Sequence, residues 1–131
     1  MILLDTDVAS FFIKGSPLAE AYFRHVEGQQ VALSFMSAAE LYAWAEIAHW
    51  GERRRKGLEQ LLSERYLVVG FELGVCREWA KVTTEGRSTG RTIATQDAWV
   101  AATARYLDLT LVTHNRAHFE GVAGIRVVSE G

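Results

Sequence analysis

Short, mostly apolar runs alternate along this chain with longer segments whose apolar residues recur every three or four positions. The runs fall at 2–4 (Ile-Leu-Leu), 30–33, 66–69, 110–112 and 125–128, and each reads as a short strand. Between them the spacing predicts helices. The first spans 8–14 and is stopped by Gly15-Ser16-Pro17. The second starts at Pro17, well suited to a first helical turn, and runs to about Glu27, where Gly28 closes it. A long amphipathic helix starts at Ser37 and carries Leu41, Trp44, Ala45 and Ala48 at i, i+3, i+4 and i+7, until Gly51 breaks it. Leu58, Leu61 and Leu62 mark another helix. Two more are predicted from Phe71 to about Thr84 and from Asp97 to Tyr106, with 85–92 reading as a loop by its glycines, serine and threonines.

None of the five strands alternates polar with apolar, as a sheet with one wet face requires. Strands with apolar residues at successive positions need cover on both sides. The pattern therefore predicts an α/β fold: one five-stranded parallel sheet with helices on both faces, in a single domain spanning 1–131. Open sheets of this kind form their sites beyond the carboxyl ends of the strands.

Composition changes this picture little. A chain of 131 residues, 49% apolar and 23% charged, suffices for one cored domain. Its single cysteine, Cys76, excludes an intramolecular disulfide and reads as a buried, inert thiol in a helix. No secretory leader is visible, and no stretch reaches the roughly 20 apolar residues of a membrane span. The expectation is a cytoplasmic protein with no membrane partner. A net charge of −2 provides no global attraction to nucleic acid, so such binding needs local basic patches.

The carboxylates change it more. The chain has four aspartates, Asp5, Asp7, Asp97 and Asp108, and the first three lie at a strand end or a helix start. Glu40 lies in the first turn of the helix after the second strand, and Asn115 follows the fourth strand. In a parallel sheet all of these face one rim. Each also has an ordinary reading. Ser37-Ala-Ala-Glu40 matches a capping box, Asp7 and Asp97 suit helix starts, and Asn115 suits a turn. Asp5 is harder to place this way, because it sits two positions before the expected cap. Converging carboxylates raise one another's pKa unless a cation offsets them, and a hard divalent ion with oxygen ligands does this well. Such an ion supports phosphodiester hydrolysis.

In the order in which they occur, Ile-Leu-Leu-Asp5-Thr6-Asp7, Ser37-Ala-Ala-Glu40-Leu41, the segment from Gly90 through Asp97 to Ala104, and Leu111-Val-Thr113-His-Asn115-Arg-Ala-His-Phe119 resemble the PIN-domain ribonucleases, in particular the VapC-type toxins of toxin–antitoxin pairs. The resemblance covers nearly the whole chain. It implies a five-stranded parallel PIN-like sheet, Mg²⁺- or Mn²⁺-dependent endoribonuclease activity and a homodimer. It also implies a VapB-like antitoxin whose tail occludes the acidic groove, often with an arginine entering it. Carried over residue by residue, Asp5, Glu40 and Asp97 match the acidic metal ligands and Asn115 the fourth polar position of the catalytic set, while Thr6 and Thr113 match hydroxyls bordering the site. Two departures from the pattern stand out. Asp7 stands where members commonly have Asn, and Asn115 and His118 stand where many carry a further Asp, so one ion rather than two is the expectation.

Rival readings fare less well. A haloacid-dehalogenase-type phosphatase also starts with Asp-Thr-Asp after a strand but needs a late acidic pair, and none exists here. A receiver domain needs an Asp after the third strand, where this chain has Gly70-Phe71. His114 and His118 have a zinc-like spacing without further soft ligands, and 86–90 lacks the Lys-Ser/Thr ending of a phosphate loop. Arg87 and Arg91 before Asp97, with Arg116, are the candidates for gripping an RNA backbone. The run Glu52-Arg-Arg-Arg-Lys56 reads as a solvated helix start, and the four tryptophans as core or interface. Two alternatives to a toxin remain open at this point: a PIN-like module that binds RNA or metal without cutting, and a stand-alone RNA-processing nuclease.

Overall fold

The computed structural model describes residues 1–131. Five parallel strands, β1 (Ile2–Leu4), β2 (Val31–Ser34), β3 (Leu67–Val69), β4 (Thr110–Val112) and β5 (Val127–Val128), form one sheet in the order β3-β2-β1-β4-β5. Leu4 pairs in register with Leu33 on one side and Val112 on the other. The connecting helices are α1 (Thr6–Lys14), α2 (Phe23–Val26), α3 (Phe35–Ile47), α4 (Glu52–Gln60), α5 (Leu73–Ser88) and α6 (Thr95–Leu107), with 3₁₀ turns at Pro17–Tyr22 and Arg116–Phe119. No helix is long and apolar enough to cross a membrane.

Both faces of the sheet are covered, as the apolar strands require. Ile2 and Leu4 point into one core with Leu33, Val112, Tyr22, Leu41 and Leu58. Leu3 and Ala32 point into the other with Leu111, Val100, Ala101 and Phe119. The alternation within β1 is thus between two dry faces. All four tryptophans are half-buried; Trp44 and Trp50 pack on the first core and Trp79 on the second.

Chain order sets the location of the site. The first three strands run outward from β1 to one edge, and the chain then returns to lay β4 on the other side of β1. This reversal puts a crevice at the carboxyl ends of β1 and β4, where α/β sheets place their ligands.

Four local expectations are corrected. Residues 17–27 do not form one α-helix: Pro17–Tyr22 is a 3₁₀ turn capped by Ser16, and only Phe23–Val26 is α-helical. Helix α3 starts before Ser37, at Phe35, because the Ser34 hydroxyl caps it by accepting from the Met36 amide at 3.1 Å. Residues 85–88 belong to α5 and not to a loop. There Ser88 and Thr89 return their hydroxyls to the Glu85 carbonyl, and Arg105 of α6 holds the Glu85 carboxylate at 2.9 Å. Cys76 is half-buried rather than buried.

Candidate active site

Asp5 is the residue at which β1 becomes α1. Its amide extends the sheet ladder by donating to the Val112 carbonyl at 2.9 Å, and its backbone is extended. Its side chain then turns to cap α1, with Oδ1 accepting from the Thr6 amide at 2.8 Å. The cap is therefore Asp5, and not Asp7. The second oxygen, Oδ2, accepts from the buried Thr113 hydroxyl at 2.8 Å, across the reversal between β1 and β4. Asp5 is only 7% exposed. Burial, then the charges of Asp7 and Asp97, push its carboxyl up to about 7 despite the two bonds it accepts.

Asp7 points across the same crevice. Its Oδ1 accepts from the Val8 amide at 2.7 Å, and its Oδ2 accepts from the His114 amide at 3.1 Å and the Asn115 side-chain amide at 2.9 Å. With three donors on it, Asp7 ties α1 to the segment leaving β4, and Asn115 turns its amide to Asp7. Burial still raises the Asp7 carboxyl above the ordinary aspartate range.

Glu40 enters from α3. The Thr6 hydroxyl lies 3.0 Å from Glu40 Oε1 and 2.9 Å from the Ser37 hydroxyl. Thr6 has one proton, which goes to the carboxylate, leaving Ser37 to donate to Thr6. Ser37 is thus a support for Glu40 rather than a helix cap. Asp97, in the first turn of α6, meets His118 Nδ1 at 3.3 Å, the sole basic side chain in an ion pair with any of the four acids. Burial raises both the Glu40 and Asp97 carboxyls; Glu40 also feels the charges of Asp97 and Asp7, and Asp97 that of Asp7.

Four carboxylates thus share one rim, all with raised affinity for protons. No three of them are gathered at ligand distance around one point. They nonetheless retain free acceptor capacity: Glu40 Oε2 and Asp97 Oδ1 receive no protein donor, and each Asp5 oxygen accepts once. An all-oxygen donor set of this kind fits a hard divalent cation.

The three arginines expected near RNA are separated by the fold. Arg91 lies along a cleft of about 560 Å³ that opens beside Asp97 and His118. Arg87 is exposed on the last turn of α5, and Arg116 lines a different, smaller cavity with Phe119. The basic run after Gly51 is a helix start in which three of the four basic side chains are engaged: Arg55 with Glu46, Lys56 with Glu52, and Arg54 stacked on Trp50.

One contributor had no signal in the sequence. The Tyr22 hydroxyl, fully buried, accepts from the Glu130 amide at 3.0 Å and meets His114 Nδ1 at 2.6 Å. It thereby fixes the turn that presents Thr113 and Asn115 to the two aspartates. His118 is exposed, as a surface histidine would be, yet is aimed at Asp97.

The family model described as PIN domain matches residues 2–125. The chain is 28% identical over 126 residues to Ribonuclease VapC1 of Haemophilus influenzae strain R2866, covering 95% of this chain and 93% of that protein. Among solved structures it resembles VapBC-1 from nontypeable Haemophilus influenzae, with a TM-score of 0.82 and 28% identity over 98% of each chain. It also resembles VapBC-5 from Mycobacterium tuberculosis, a member of the VapBC family of toxin-antitoxin systems, with a TM-score of 0.71 and 25% identity over 98% of this chain and 97% of that one.

Proposed function

This chain belongs to the PIN domain family, and on that premise we propose that it is an endoribonuclease acting as the toxin of a toxin–antitoxin pair, with Asp5, Glu40 and Asp97 as its metal-holding acids. One observation carries the site reading: four carboxylates at the β1–β4 reversal, Asp5 buried and the other three half-buried, have no lysine or arginine partner, and all have raised proton affinity. Structural caps need no such gathering. The similarity to a VapC ribonuclease and to VapBC structures supports RNA as the substrate and a VapB-like partner covering the acidic rim.

Asp5, Glu40 and Asp97 would hold Mg²⁺ or Mn²⁺, directly or through water. When bound, that ion supplies positive charge against the carboxylates, a more acidic water and polarisation of a phosphoryl oxygen. The protein's own groups do the rest. Thr113 holds Asp5, and Ser37 through Thr6 holds Glu40, so the carboxylates keep their positions against mutual repulsion. Asp7, with its oxygens taken by backbone and Asn115, fixes the segment after β4. His118 orients Asp97. In hydrolysis a water oxygen bonds to phosphorus, the bond from phosphorus to one ribose oxygen breaks, and that oxygen takes a proton. The rim carboxylates, with their raised proton affinity, are the groups placed to take the proton the water loses.

The test is cleavage of a mixed RNA pool in Mg²⁺ or Mn²⁺ by the wild type, by Asp97→Asn and by wild type in EDTA. Cleavage by the first alone supports the reading; cleavage that persists in the other two removes these residues from the chemistry.

A further inference from the structure

The cleft beside Asp97 is larger than a metal site needs and differs from the rim in chemistry. Its lining includes Val82 of α5, Ile93 before α6 and Val122 after the second 3₁₀ turn, set among polar and glycine residues. Its edges carry charge. Arg91 lies over Gly121, where an added Cβ would stand 2.8 Å from the Arg91 Cδ, and Arg91 takes part in no ion pair. Glu120, next to Gly121 in the chain, also lines the cleft and is exposed and unpaired, whereas Glu85, likewise exposed, is held by Arg105. A cleft of about 560 Å³, with a few apolar side chains set among polar ones, has the size of a small-molecule seat.

We infer that this cleft seats one nucleobase of the RNA, that of a nucleotide beside the scissile phosphate, and that Glu120 favours a base with an exocyclic amine over uracil. The inference rests on the ribonuclease reading and adds a subsite to it. A phosphate does not suit the cleft, because Glu85, Asp97 and Glu120 all line it. A base does: its faces meet Ile93 and Val122, and its amine meets a carboxylate, which accepts from cytosine, adenine or guanine amines. Arg91, free of any carboxylate at the mouth, is left to meet the adjoining phosphate. The depth of the cleft depends on Gly86, whose added Cβ would lie 2.5 Å from the Arg91 carbonyl; only glycine lets the loop before α6 sit this close to α5.

The experiment maps cut sites in a randomised RNA pool for the wild type, Glu120→Gln and Ala117→Phe, the last placing a ring in the cleft from an exposed position. At one position flanking the cut, uridine should be depleted about fivefold or more in wild-type products, and both variants should flatten that bias. If the wild type cuts with no such bias, or if both variants keep it, the subsite is overturned while the nuclease reading stands. If the wild type cuts no RNA under any metal condition, both readings fall together.

Discussion

The Thr113 hydroxyl donates to Asp5 Oδ2 at 2.8 Å, joining the ends of β1 and β4 across the crevice where the order of the sheet reverses. The bond is buried, and it favours the charged form of a carboxylate that burial and two neighbouring acids would otherwise keep protonated. Thr113→Val removes the donor while preserving shape. The expected outcome is a loss of about 1–3 kcal/mol of stability at pH 8. The loss should be smaller at pH 5, where Asp5 is protonated and the bond to its charged form no longer counts. Urea unfolding at the two pH values measures the difference.

Asp5→Asn keeps a cap on α1 while deleting a buried negative charge. It should raise the stability of the metal-free protein at pH 8 by about 1–3 kcal/mol, since the cost of ionising Asp5 in the fold is removed. RNA cleavage should be lost. Thermal unfolding alongside a cleavage assay reads both, and loss of stability together with activity would contradict the account.

The pH dependence follows in sign. Asp5 binds its proton more tightly folded, with its pKa pushed to about 7, than unfolded, near 3.8. Its contribution is fully present below the unfolded value and is lost as pH rises through about 7. Asp7, Glu40 and Asp97 are shifted in the same direction. Metal-free protein should therefore lose stability between about pH 5 and pH 8, as followed by urea unfolding across that range in EDTA.

Gly86→Ala tests the seating of the loop before α6. Its Cβ would meet the Arg91 carbonyl, a backbone atom that a side-chain rotation cannot move aside. A cost of about 1–3 kcal/mol is expected, despite alanine's better helix propensity, and chemical unfolding measures it.

Much of this was legible in the sequence, for physical reasons. The run at 2–4 is apolar at every position, and Leu111 and Val112 continue the pattern in β4, because both faces of the sheet are dry, and that is enough to predict parallel strands. Asp5, Glu40 and Asp97 stood out because acids at strand ends and helix starts converge once the strands are parallel. What stayed hidden depended on packing. Gly86 and the polar residues after it read as a loop, yet Arg105 of α6 holds Glu85 and extends α5 through Ser88. Ser37 matched a cap, but Ser34 lay one turn earlier with its hydroxyl free to take that place. Tyr22 and Asp7 became interpretable only when β4 was laid beside β1, because their partners lie about 90 residues or more along the chain.

The central claim is that these carboxylates form a metal site. Its most direct test is a Mn²⁺ titration followed by thermal unfolding, on the wild type and on Asp97→Asn. A ligand that binds the folded state alone must raise its stability. The account predicts that Mn²⁺ raises the wild-type melting temperature and leaves that of Asp97→Asn nearly unchanged. Equal responses from the two proteins, or none from the wild type at millimolar Mn²⁺, would contradict it.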